Sequence, residues 1–111
     1  MEQAKMHELA RETGGQLSRR GLSIATAESC TGGWIAKIMT DIPGSSGWYD
    51  RGFVTYTNQD KQDMLGVQAT TMQQYGAVSE HTVREMASGA ISNSRAHVSV
   101  DVSGIAGPGV G

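Results

Sequence analysis

The apolar run Leu22-Ser23-Ile24-Ala25-Thr26-Ala27 leads straight into Glu28-Ser29-Cys30-Thr31-Gly32-Gly33. Trp34-Ile35-Ala36-Lys37-Ile38-Met39 then carries apolar residues at helical spacing. A strand joined to a helix by a short glycine turn commits a chain to a layered fold, because each element has an apolar face that another must cover. Ser29 is placed on that turn. A hydroxyl there leaves the end of a sheet beside the unpaired N–H groups of a helix start. Gly32 and Gly33 have no Cβ, so another group can approach their backbone closely. Three readings fit these residue types: a nucleophile with an oxyanion site, a seat for a phosphate, or a plain Ser/Thr helix cap with a tight turn.

The remainder of the chain alternates in the same way. Residues 3–18 read as a helix with Met6, Leu9, Ala10, Thr13 and Leu17 on one stripe. Gly14-Gly15 weakens that helix and points to fraying, and Arg19-Arg20-Gly21 closes it. Residues 41–47 read as loop from their Pro, Gly and Ser content. Trp48 and Tyr49 read as core, with a subunit contact as the other option. Gly52 to Thr57 reads as a second strand, rich in β-branched and aromatic residues. Asn58 is the expected N-cap of a short helix at 59–65, and Gly66 ends it. Lys61 then falls at a helix start, where the macrodipole disfavours a positive charge. Its plain reading is a solvated lysine beside Asp60. A partial helix over Ala69 to Tyr75 follows, and Ser79 caps the next helix. That helix carries Val83, Met86, Ala87, Ala90 and Ile91 on its buried stripe, with His81, Arg84 and Glu85 outward. Residues 98–103 read as a third strand in which valines alternate with polar residues, so the valine face is expected to be buried. Asp101 on the other face is costly under a helix unless it is paired. The glycine-rich loop 104–111 follows.

Composition narrows the function classes. At 111 residues the chain is one small domain. The net charge of −2 gives no basic field for nucleic acid or an anionic membrane, and no apolar run is long enough to span a bilayer. The single cysteine excludes an internal disulfide and fits a reducing cytoplasm. His7, His81 and His97 are scattered, and Cys30 has no partner at ligand spacing, so no metal site is expected. If the strands are parallel, the 27–33 turn, the 56–61 turn and the 103–109 loop converge at one sheet edge, where ligands of α/β folds collect.

The ordered segments Thr26-Ala27-Glu28-Ser29-Cys30-Thr31-Gly32-Gly33, Asp41-Ile42-Pro43-Gly44-Ser45-Ser46, Thr55-Tyr56-Thr57-Asn58 with Lys61, Leu65-Gly66-Val67, Gly76-Ala77-Val78-Ser79-Glu80 and Ser103-Gly104-Ile105-Ala106-Gly107-Pro108 resemble the CinA C-terminal domain family. The likeness runs from about residue 20 to the end. It implies a single domain over 1–111 with a three-layer α/β/α sandwich, and the family domain continues past residue 111, so the chain is expected to be incomplete there. It implies a hydrolase that converts nicotinamide mononucleotide to nicotinate mononucleotide and ammonia, in pyridine nucleotide recycling, with no cofactor and no metal. By the same likeness the catalytic serine is Ser29, the lysine Lys61 and an assisting tyrosine Tyr56, with Ser103 as a substrate-side hydroxyl. The likeness also suggests a homo-oligomer. Substrate contacts are expected from Glu28, Cys30, Thr31, Gly32, Gly33, Ser103 and Gly104. Glu28 or the face of Tyr56 would meet the cationic ring. Two alternatives stay open: a non-catalytic nucleotide-binding module, and a serine amidase of another small carboxamide.

The chemistry sets requirements. An amide carbonyl is a poor electrophile and ammonia is a poor leaving group. A serine with an oxyanion site answers the first problem and a proton donor answers the second. A Ser-Lys pair does both if the amine is neutral at rest. Because free lysine titrates at about 10.4, the site must favour its neutral form. The expected oxyanion donors are backbone N–H groups at the start of the 31–40 helix. Cys30 is the rival nucleophile, and neighbouring residues on a sharp turn are expected to point different ways.

Overall fold

The computed structural model describes residues 2–103. The elements run α1 (Glu2–Arg20), β1 (Ile24–Ser29), α2 (Trp34–Thr40), a 3-10 turn (Ser45–Gly47), β2 (Tyr49–Thr55), α3 (Asn58–Leu65), α4 (Ala69–Tyr75), α5 (Glu80–Ser92) and β3 (Val98–Val102). The three strands are parallel in the order β2-β1-β3. Central β1 is buried at every position, as a strand covered on both faces must be.

Alternation along β1 sorts the layers. Ala25 and Ala27 point into a core with Leu65, Val67, Met72, Met86 and Ala90, which belong to α3–α5 and their connections. Ile24 points the other way, into a core with Ala10 and Leu17 of α1, Ile38 and Met39 of α2, and Trp48. Helices α1 and α2 therefore lie on one face and α3, α4 and α5 on the other, which is the expected three-layer α/β/α arrangement. No helix among the described residues is long and apolar enough to cross a membrane.

Several local expectations are corrected. Helix α1 runs unbroken through Gly14-Gly15. Gly14 is where the buried Trp48 ring packs: a Cβ there would collide with the ring. Trp48 is thus core, not a subunit contact, and Leu9 is exposed rather than on the buried stripe. Strand β2 begins at Tyr49 and ends at Thr55, so Tyr56 and Thr57 lie beyond it. The N-cap of α3 is Thr57, not Asn58. Its hydroxyl accepts from the Asp60 N–H, and Asp60 accepts in return from the Thr57 N–H, a reciprocal capping box. Ser79 caps α5 as expected. Glu85 is not merely solvated: it accepts from Gln68 N–H at 2.9 Å and Thr71 Oγ1 at 2.6 Å, which ties the start of α4 to α5. His81 stacks on Tyr75.

Strand β3 reverses the sequence-based expectation. Val98 and Val100 are 37% and 36% exposed. They pair with Ile24 and Thr26 and so share the α1/α2 face, which those helices cover over β1 and β2 and leave open over β3. The polar positions Ser99 and Asp101 face α5 instead, where Ser99 Oγ donates to the Ala87 carbonyl.

Candidate active site

The connection leaving β1 goes to α2 on one face, and the connection leaving its neighbour β2 goes to α3 on the other. The carboxyl ends of β1 and β2 thus border a topological switch point, the crevice where open α/β sheets receive ligands. Ser29 ends β1 there and pairs with Thr55, the last residue of β2. Alternation puts the Ser29 side chain on the face of Ala25 and Ala27, the face covered by α3.

Lys61 reaches the same face from the first turn of α3. The capping box fixes that turn, and Lys61 is 3% exposed, so the solvated reading is wrong. Among the described residues no carboxylate lies within ion-pair distance of its amine. Asp60 is occupied by the Tyr56 and Thr57 N–H groups, which hold its carboxyl below the usual carboxylate range. Lys61 is therefore a buried residue on the serine's side of the sheet whose amine meets no carboxylate among the described residues, an arrangement that costs stability. Ser29 is also 3% exposed, and its hydroxyl contacts Cys30 Sγ at 3.8 Å.

The turn between Ser29 and α2 differs from expectation. Cys30 has φ 70°, the left-handed region, and Gly32 and Gly33 follow at φ 64° and 91°. Cys30 is exposed, yet its sulfur stays against the serine hydroxyl, so the two side chains do not point apart. The first amides of α2 are not free for an oxyanion. Trp34 N–H donates to Thr31 O, while Ile35 and Ala36 N–H donate to the two oxygens of Glu28 at 2.7 and 2.9 Å. Thr31 Oγ1 donates to Glu28 as well, at 2.9 Å. Glu28 is fully buried on the α2 face, with its carboxylate engaged inside the fold rather than presented to a cationic ring. The backbone N–H groups of Thr31, Gly32 and Gly33 meet no acceptor among the described residues.

Tyr56 is 82% exposed and its hydroxyl bonds to no described residue, so it does not hold Lys61 in this arrangement. Ser103 Oγ and Asp101 Oδ1 are both buried without a partner among the described residues. Asp101 pairs with Ala27, which places it on the face of Ser29 and Lys61. Burial raises the Asp101 carboxyl above its ordinary range, against the lowering effect of the Ser99 hydroxyl bonded to Oδ2. Gly104 lies outside the described residues.

The CinA C-terminal domain model matches residues 6–111. The chain belongs to the CinA C-terminal domain family. This CinA domain is 53% identical over 108 residues to nicotinamide-nucleotide amidohydrolase PncC of Escherichia coli K12, and 56% identical to PncC of Enterobacter agglomerans. Each match takes in 97% of this chain and 66% of the relative, so the CinA domain spans just under two thirds of the length of these relatives. It superposes on the crystal structure of competence/damage inducible protein CihA from Agrobacterium tumefaciens with a TM-score of 0.90 and 55% identity, covering 94% of this chain and 63% of that one. A CinA superfamily protein from Escherichia coli superposes with a TM-score of 0.91 at 38% identity, covering 96% of this chain and 62% of that one.

Glu28, one of the two groups expected to meet a cationic ring, instead turns to the α2 side of this CinA domain's sheet. The signal was available: Ile24, Thr26 and Glu28 share one face of β1, and that face carries the helix that follows. The orphaned oxygen of Asp101 had a weaker signal, a carboxylate in a strand with a helix on its polar side.

Proposed function

We propose that the chain carries the nucleophilic half of a nicotinamide mononucleotide amidohydrolase acting through Ser29 and Lys61. The observation that carries this reading is the buried Lys61 on the Ser29 side of the switch-point crevice, its amine meeting no carboxylate among the described residues. Stability alone gives no reason for such a lysine, whereas proton transfer does. The names of the PncC relatives supply the substrate: a carboxamide on a pyridine nucleotide.

Lys61, in its amine form, takes the Ser29 proton as Ser29 Oγ adds to the carboxamide carbon. The N–H groups of Thr31 to Gly33, which meet no acceptor among the described residues, are the donors for the oxyanion. They replace the α2 amides that Glu28 occupies. Lys61 then returns the proton to the departing nitrogen, and ammonia leaves. Water hydrolyses the acyl-enzyme to nicotinate mononucleotide and frees Ser29. Tyr56, which is exposed, would stack on the pyridinium ring. Ser103 offers a hydroxyl from β3's end.

The test is ammonia release from nicotinamide mononucleotide by the full chain. Ser29→Ala is expected to lower the rate by at least about 10³-fold, as loss of a nucleophile does. Lys61→Arg should do the same, because arginine does not give up its proton at working pH. Normal turnover by either variant excludes the mechanism. Binding without ammonia release, in the wild type as in Ser29→Ala, would favour a nucleotide-binding module. Release from other carboxamides but not from the mononucleotide would favour a different amidase.

A further inference from the structure

We infer that Glu28 is a positioning residue for Ser29, acting from the opposite face of the sheet. The inference rests on the serine-nucleophile reading above. Glu28 precedes Ser29 in β1, so the two side chains diverge, one toward α2 and the other toward α3. Three donors converge on its buried carboxylate: Thr31 Oγ1, Ile35 N–H and Ala36 N–H. A fourth tie, from Thr55 Oγ1 to the Glu28 carbonyl at 3.1 Å, fastens the same residue to β2.

Those ties close around a turn that does not hold itself. Cys30 is a non-glycine residue at φ 70°, and Gly32 and Gly33 lie in the same left-handed region. For a non-glycine residue such backbone persists only where its surroundings over-determine it. Helix α2 contributes no side-chain cap, since its N-cap is Gly33. The Glu28 carboxylate therefore does the work of the missing cap and pins Thr31 in the middle of the turn. Filling the helix end with a carboxylate from the chain also leaves the Thr31–Gly33 N–H groups, unengaged among the described residues, as the donors beside Ser29.

A carboxylate is needed rather than an amide. Two oxygens receive three donors, and glutamine would set its NH₂ group against one of them. Glu28→Gln keeps the shape and breaks the match. It is expected to lower kcat by about 100-fold, the cost of a small misplacement of a reacting group, while KM changes less than about threefold. Thr31→Val removes one donor at constant shape. It should lower kcat by roughly tenfold and be non-additive with Glu28→Gln, because both act through one carboxylate.

Glu85→Gln is the matched control. Glu85 also takes backbone and threonine-hydroxyl donors at a helix start, one of each, but it is half-buried and away from Ser29. It should lower Tm and leave kcat unchanged. A second readout needs no nucleotide: the rate at which a fluorophosphonate probe labels Ser29, mapped by mass spectrometry. Labelling should fall with kcat in Glu28→Gln and not in Glu85→Gln. If the wild type is labelled but releases no ammonia, the substrate assignment fails, and the labelling rates still test the positioning role. Labelling of Glu28→Gln at the wild-type rate overturns the inference, as does an equal loss in Glu85→Gln or a wild-type Ser29 that takes no label. If Glu28→Gln does not fold, Thr31→Val decides by the same two readouts.

Discussion

Ser29 Oγ and Cys30 Sγ lie 3.8 Å apart because Cys30 sits at φ 70°. Consecutive residues of an extended strand would send their side chains to opposite faces. The left-handed residue at the strand exit instead keeps an exposed thiol against a buried hydroxyl. Alkylation of Cys30 by iodoacetamide should therefore block access to Ser29. An activity loss of at least about tenfold is expected, from displacement of substrate from its attack position. Cys30→Ala should keep most of its activity and become resistant to the reagent. Alkylated wild type with full activity would mean that substrate reaches Ser29 from another side.

Lys61 is buried without a carboxylate within ion-pair distance among the described residues, so it should be a site where function opposes stability. Lys61→Met keeps the length of the side chain and removes the amine. It is expected to raise stability by about 0.5–2 kcal/mol, the usual gain from relieving a functional strain. It should also abolish ammonia release. Urea denaturation alongside the ammonia assay checks both. A variant that loses stability would show that the amine has a partner that holds the fold together.

The pH dependence of stability should separate two sets of carboxyls. Asp50, Asp60 and Glu85 are held below their ordinary range, chiefly by the Arg95 N–H, the Thr57 N–H and the Thr71 hydroxyl respectively. A lowered folded-state pKa gives stability that is present above the unfolded value and lost as pH falls through the folded one. Asp101 has the opposite sign, because burial raises it. Its contribution is full below the unfolded-state value and is lost as pH rises through the folded one. Asp101→Asn mimics the protonated acid. It should thus leave Tm nearly unchanged near pH 4 and raise it at pH 7–8. Equal Tm differences at both pH values would show that the Asp101 carboxyl is not strained by burial.

The sequence made the layers legible because hydrophobic period and glycine position report directly on local structure. Ala69–Tyr75 and the Ser79 cap were read at their observed places, and Ser29 was placed at the exit of the central strand. Lys61 required more. A lysine at a helix start looks solvated until the strand before it is known to sit beside β1, which is a fact of topology. Val98 and Val100 show the limit of pattern. Alternation correctly separates the two faces of β3, but which face a helix covers depends on the crossover from β2, and that crossover puts α5 over the polar side. The second strand was expected to run to Thr57, and β2 stops two residues earlier at Thr55, leaving the Tyr56 ring in solvent. Glu28 shows the same limit differently: its residue type suggested a cation, whereas its strand position decided for the helix start.

The adjacent glycines of α1 give the sharpest test of packing against propensity. By helix propensity alone, alanine at either position should stabilise by about 1 kcal/mol. At Gly15 nothing opposes this: a Cβ there would meet only Arg19 Nη1, at an ordinary 3.5 Å. At Gly14 the Cβ would enter the indole of Trp48, which is buried against α1 and cannot swing away into solvent. Overpacking of that kind costs about 1–3 kcal/mol and exceeds the propensity gain. Gly15→Ala should therefore raise Tm and Gly14→Ala lower it, with Trp48 fluorescence shifted in Gly14→Ala alone. The double variant should also show no coupling beyond the sum, since only one of the two positions touches the ring. Stabilisation by Gly14→Ala would mean that Trp48 does not pack on α1, and the helix would lose its main anchor to the α1/α2 core.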